Sequence, residues 1–66
     1  MQLTINGEAC ACAGGLSVAA LLRERELDAA AVVVELNGRI LPAADFAATA
    51  LHEGDVLEIV QFVGGG

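Results

Sequence analysis

Gly54-Asp55-Val56-Leu57-Glu58-Ile59-Val60-Gln61-Phe62-Val63-Gly64-Gly65-Gly66 is the stretch on which the fold turns. From Val56 to Val63 it reads as the strongest strand of the chain, rich in β-branched and aromatic residues. Leu57 and Ile59 share one parity, while Glu58, Val60 and Phe62 share the other. A carboxylate is almost never fully buried without a partner, so the Glu58 parity is expected to face outward. His52-Glu53-Gly54-Asp55 is a tight turn leading into the strand. A strand this apolar belongs in the middle of a sheet, and three glycines follow it without a polar linker.

Moving outward, Val32-Val33-Val34-Glu35-Leu36-Asn37 is a second β-branched strand. Asn37-Gly38 is a hairpin signal, because both central residues of a type I′ turn need positive φ. Arg39-Ile40-Leu41 is then a short return strand stopped by Pro42. At the other end, Met1 to Asn6 alternates apolar and polar, Asn6-Gly7 is a second hairpin signal, and Glu8 to Cys12 is a weaker return strand. Ser17 is placed to cap a helix whose Val18, Leu21 and Leu22 share one face, with the helix expected to end near Glu26 or Leu27. Asp28 with Ala29–Ala31 reads as a linker, and Ala43–Ala50 as at most one helical turn anchored by Phe46. The N-terminal and C-terminal strands carry the densest apolar content and are expected to pair centrally. The order ββ–α–β(β)–β describes an α+β domain of four to five strands in a mixed sheet wrapped around one helix. Residues 1–63 form a single domain in this reading, and residues 64–66 a flexible tail.

Composition narrows the function. Sixty-six residues make one small domain, which buries only ~60% of its unfolded surface and leaves little room for a deep active site. Nine carboxylates stand against three Arg and no Lys, for a net charge of −6. That balance repels phosphate backbones and anionic membranes, so neither nucleic acid nor membrane is expected as a partner. No apolar run approaches the ~20 residues of a membrane span, and no export signal is evident. Two Cys in such a chain fit free thiols in a reducing, cytoplasmic setting.

The terminal glycines supply the chemistry. Extended, three of them reach ~10 Å beyond a sheet, and without Cβ atoms they can thread a channel closed to other residues. Such a tail can deliver the Gly66 carboxylate into the active site of another protein, where adenylation by an ATP-using enzyme would make it reactive. The chain resembles the ThiS-type sulfur carrier family of thiamine biosynthesis. The resemblance rests on the opening Asn-Gly hairpin, Ser17-Val18 leading into Leu21-Leu22, Asn37-Gly38 with Pro42, and above all Gly54 to Gly66. It departs from the family at Ala43, where a basic residue is common, and at Phe46, where a larger aromatic is usual.

The resemblance implies a ubiquitin-like β-grasp fold and a protein that is a co-substrate, not an enzyme. A ThiF-like adenylyltransferase would activate Gly66 with ATP, a desulfurase would supply sulfur from cysteine, and a ThiG-like thiazole synthase would receive it from the resulting thiocarboxylate. Gly64 and Gly65 would thread the active sites of these partners. The carrier itself would bind no cofactor and be monomeric when free. The rival readings are a small subunit of molybdopterin synthase and an unreactive ubiquitin-like interaction module.

Strand parity also suggests where partners dock. Leu3, Ile5, Val34 and Leu36 should face the helix, leaving Val33, Glu35, Glu58, Val60 and Phe62 as an apolar patch rimmed by charge on the open side. Cys10 and Cys12 lie two apart and should share a face. Without a second Cys/His cluster they cannot close a tetrahedral zinc site, so no metal is expected there. The reading that fits most easily is two small residues filling the sheet.

Overall fold

The computed structural model describes residues 1–63, so the three terminal glycines lie outside the described residues. Five strands form one mixed sheet: β1 (Gln2–Ile5), β2 (Glu8–Ala11), β3 (Val32–Leu36), β4 (Arg39–Leu41) and β5 (Val56–Gln61). Their spatial order is β2-β1-β5-β3-β4. As expected, β1 and β5 pair centrally. They run parallel, with Thr4 opposite Val56 and Ile5 opposite Leu57, and the other neighbours are antiparallel. Among the described residues a single α-helix, α1 (Val18–Glu24), packs on one face. This is the β-grasp arrangement anticipated from the sequence.

Both Asn-Gly turns adopt the conformation that their residues favour, with φ of 51° and 82° at Asn6-Gly7 and 52° and 83° at Asn37-Gly38. Their asparagine side chains do more than tolerate the turn. Asn6 Oδ1 accepts from the Ile59 N–H at 2.7 Å, and Asn6 Nδ2 donates to the Ile59 carbonyl at 3.2 Å. Asn37 Oδ1 likewise accepts from the Val56 N–H at 2.9 Å. Each amide replaces a missing strand residue against β5, satisfying backbone groups that the short neighbours leave open.

The helix begins as expected. The Ser17 hydroxyl accepts from the Ala20 N–H at 3.0 Å. Val18 and Ala19 donate to the carbonyls of Thr49 and Phe46, and Leu21 to that of Ser17. The amides of Val18, Ala19 and Ala20, which a helix start leaves open, are thereby satisfied, and residues 46–51 are stitched to the helix start. The end falls slightly short of the expected Glu26 or Leu27: the helix stops at Glu24. Glu26 takes a left-handed φ of 57°, the Leu27 N–H reaches back to the Leu22 carbonyl, and the Glu26 N–H to that of Arg23. That is a Schellman closure, usually built on Gly.

Of two shorter segments, the first departs from the reading and the second fits it. Ala29–Ala31 is a 3-10 turn capped by Asp28, whose Oδ1 accepts from the Ala30 N–H at 2.9 Å. Ala43–Asp45 is a second one, after which Phe46 plunges into the core. Strand β5 ends at Gln61, two residues short of the apolar run, although the Phe62 N–H still donates to the Ala31 carbonyl.

The core joins Val18, Leu21 and Leu22 of α1 to Leu3, Ile5, Val32, Val34, Leu57 and Ile59 of the sheet, closed by Phe46 and Leu51. Among the described residues no helix is long and apolar enough to cross a membrane.

Candidate functional site

The helix covers one face of the sheet and leaves the other open, and the predicted docking residues lie on that open face. Glu58, Val60 and Phe62 are exposed, with Val60 at 55% and Phe62 at 59%. Val33 and Glu35, on β3, are half-buried. Register brings the five together: Val33 lies opposite Val60, and Glu35 opposite Glu58. Phe62 continues the same parity just beyond the end of β5.

Two residues of the same face escaped the sequence reading. Val56 has the parity of Glu58 and is exposed, and alternation along β5 was enough to find it. Ile40 is 64% exposed and sits opposite Glu35 on β4. Its three-residue strand is too short to show alternation, so only the register identifies it.

The result is a row Ile40–Glu35–Glu58 running across β4, β3 and β5, beside the apolar pair Val33–Val60. Two carboxylates directly opposite one another on neighbouring strands repel, by about 0.2–1 kcal/mol in such pairs. An apolar patch with a like-charge pair at its centre suits a partner presenting both apolar surface and an Arg or Lys.

The entry to β5 is held by a separate polar network. Asp55 Oδ1 accepts from Asn37 Nδ2 at 3.0 Å, and Asp55 Oδ2 accepts from the His52 N–H at 2.8 Å. The Asn37 hydrogen bond, more than partial burial opposes, holds the Asp55 carboxyl below its ordinary value of 3.8, with help from the His52 amide. Turn and strand start are thus locked together, which fixes the direction in which β5 runs toward the C-terminus.

The tail residues Gly64, Gly65 and Gly66 lie outside the described residues, so only their launching point is defined. Phe62 and Val63 are exposed, Val63 at 92%. Cys10 and Cys12 share a face, as alternation predicts, on the helix side of the sheet at its β2 edge. No group of three or more Cys, His, Asp or Glu suited to holding a metal occurs among the described residues.

The profile of the ThiS family matches residues 3–66. The sulfur carrier protein ThiS of Escherichia coli is 30% identical over 66 residues, covering all of both chains. A thiazole synthase of Paramagnetospirillum magneticum is 46% identical over the whole of this chain, which spans only 20% of that relative's length. The crystal structure of a thiamine biosynthesis protein (ThiS) from Geobacter metallireducens superposes with a TM-score of 0.85 at 40% identity, covering all of both chains.

Proposed function

This chain belongs to the ThiS family of sulfur carriers of thiamine biosynthesis, and from that premise we propose that Gly66 is its reactive end. The observation that carries this reading is the full-length match to the E. coli carrier, which includes the segment running from central strand β5 into Gly64-Gly65-Gly66.

In the proposed cycle the Gly66 carboxylate attacks the α-phosphorus of ATP on a ThiF-like adenylyltransferase, forming an acyl-adenylate and releasing pyrophosphate. A sulfur nucleophile, supplied from cysteine by a desulfurase, then attacks the acyl carbon. AMP leaves with the bonding electrons; the desulfurase hands over its sulfur as a persulfide, so a thiol reductant then cleaves the resulting acyl disulfide, and a thiocarboxylate remains. Its soft sulfur is delivered to a ThiG-like thiazole synthase. Gly64 and Gly65 thread the partner active sites because no Cβ widens the chain there. Docking of the sheet makes the delivery effectively intramolecular, which is the main physical advantage of a protein-borne reagent.

The open face formed by Val33, Glu35, Glu58, Val60 and Phe62, now extended by Ile40 and Val56, is the proposed docking surface. Its like-charge pair and the net charge of −6 favour basic partner surfaces. The P. magneticum relative supports the thiazole synthase as one such partner, since a protein bearing that name contains a segment similar to this whole chain.

The test is intact-mass analysis after incubation with ATP, a ThiF-like enzyme and a sulfur donor. The expected product is heavier by the exchange of one oxygen for sulfur, and removing Gly66 or fusing a tag after it abolishes the shift while leaving the fold intact. An unchanged mass for the untagged protein with competent enzymes, or a full shift in the tagged one without proteolysis, overturns the proposal.

A further inference from the structure

Away from the carrier end, one side-chain cluster has no part in the proposed cycle. Cys10 Sγ and Cys12 Sγ lie 3.5 Å apart, both free and half-buried. Arg25, just past the end of α1, donates from Nη2 to Cys10 Sγ at 3.2 Å. We propose that Cys10 and Cys12 form an oxidisable dithiol that closes reversibly to an intrastrand disulfide by exchange with low-molecular-weight disulfides such as glutathione disulfide.

Regular strand spacing opposes this bond, so closing it must bend the end of β2 to bring the Cβ atoms together, and that makes the bond labile. Residues two apart on a strand have Cα atoms about 6.6 Å apart, close to the ~6.8 Å limit for a disulfide. The sulfurs must close from 3.5 Å to ~2.05 Å, and a bond made at the edge of the permitted range is strained and easily reduced. The strain stays local. Strand β2 is an edge strand, and the contacts that closure would disturb are the two hydrogen bonds that tie Cys12, one residue past its end, to Met1.

The two thiols have different roles. The Arg25 guanidinium places a cation against Cys10, where an attacking thiolate needs one. Burial, together with the neighbouring Cys10 sulfur, pushes the Cys12 thiol up. Cys10 therefore attacks first: its thiolate breaks the S–S bond of the small disulfide, one thiolate leaves, and a mixed disulfide forms. Cys12 then gives its proton to solvent and attacks Cys10 Sγ, expelling the second thiolate. Two protein thiols are oxidised by two electrons, and one small disulfide is reduced to two thiols.

The site is separate from the tail. Cys10 pairs with Leu3, and parallel register sets Thr4 opposite Val56, so Leu3 lies level with Asp55. Phe62 is then roughly 23 Å farther along the sheet, at ~3.3 Å per residue.

The experiment exposes the full chain to glutathione disulfide and follows intact mass, with a spectroscopic check that each variant is folded. Wild type should yield a monomer lighter by two hydrogens, restored by dithiothreitol. Cys12→Ser should stop at one glutathione adduct. Cys10→Ser should form its adduct several-fold more slowly, and Arg25→Gln should slow the first step of the wild-type reaction by about two- to fivefold. Two stable glutathione adducts on wild type without the lighter species, no reaction at all, or equal rates in both single Ser variants would each overturn the proposal.

Discussion

Asn6 holds the last strand where its neighbour gives out, and replacing it isolates that contribution. Strand β1 ends at Ile5, yet β5 continues to Gln61, and on that edge the backbone of Ile59 is met only by the Asn6 side chain. Asn6→Gly keeps the positive-φ turn available and removes two partly buried hydrogen bonds, each with a net contribution of about 1 kcal/mol, for a loss of about 1–2 kcal/mol. Asn6→Ala adds the left-handed penalty of a Cβ residue, about 1–2 kcal/mol, bringing the loss to about 2–4 kcal/mol. A 66-residue domain is expected to hold only ~3–10 kcal/mol in all, so either change is a large share. Urea unfolding measures the totals. Amide exchange localises them, with the Ile59 N–H exchanging about tenfold faster for each 1.4 kcal/mol of local stability lost. If both variants unfold within ~0.3 kcal/mol of wild type and Ile59 stays protected, the side chain does not carry the ladder. An equal loss in the two variants would instead show that the left-handed backbone costs Ala nothing here.

Glu26 holds a left-handed φ at the helix end, so Glu26→Gly should raise stability by about 0.5–1 kcal/mol in thermal or urea unfolding, the left-handed penalty less the extra entropy of Gly. The depressed Asp55 carboxyl contributes stability that is complete above its ordinary value of 3.8 and is lost as pH falls through its lower folded value. Unfolding midpoints measured down the acid range should therefore drop below that pH in wild type and less steeply in Asp55→Asn; parallel curves would rule out this role. On the open face, Val60→Asp should weaken binding to the ThiF-like enzyme and slow adenylation without loss of fold, and a normal rate would remove that residue from the docking surface. Glu58→Gln should relieve the repulsion from Glu35 and stabilise the free protein by about 0.2–0.5 kcal/mol, while lowering partner affinity in a titration.

Much of this architecture depends on interactions only a few residues long, and those were readable. An Asn-Gly pair tolerates two positive φ values, Ser17 offers an oxygen three residues before an open amide, and alternation along β5 sorts Leu57 from Glu58. The helix end was misplaced because its left-handed residue is Glu26, a side chain without the signature of Gly at that position. The Asp28-capped turn was passed over because three alanines have no side-chain chemistry to mark it. On the open face, parity grouped Val33, Glu35, Glu58, Val60 and Phe62 on one side of the sheet. Ile40 stayed hidden because β4 is too short to show a pattern.

Local sequence set the five strands and the start of the helix, the buried parity of the longer strands, and a closing run of glycines. These follow from local conformational preference and from the cost of burying charge, which act within a few bonds. Only the tertiary structure decided which distant residues meet. It set Glu35 against Glu58 and Ile40 beside them, turned two asparagine side chains into strand partners for Ile59 and Val56, and brought Arg25 to Cys10. Those contacts depend on the parallel pairing of β1 with β5 and on the stitch from residues 46–51 to the helix. Such pairings come from packing the whole chain around one core, and no short stretch of sequence contains them.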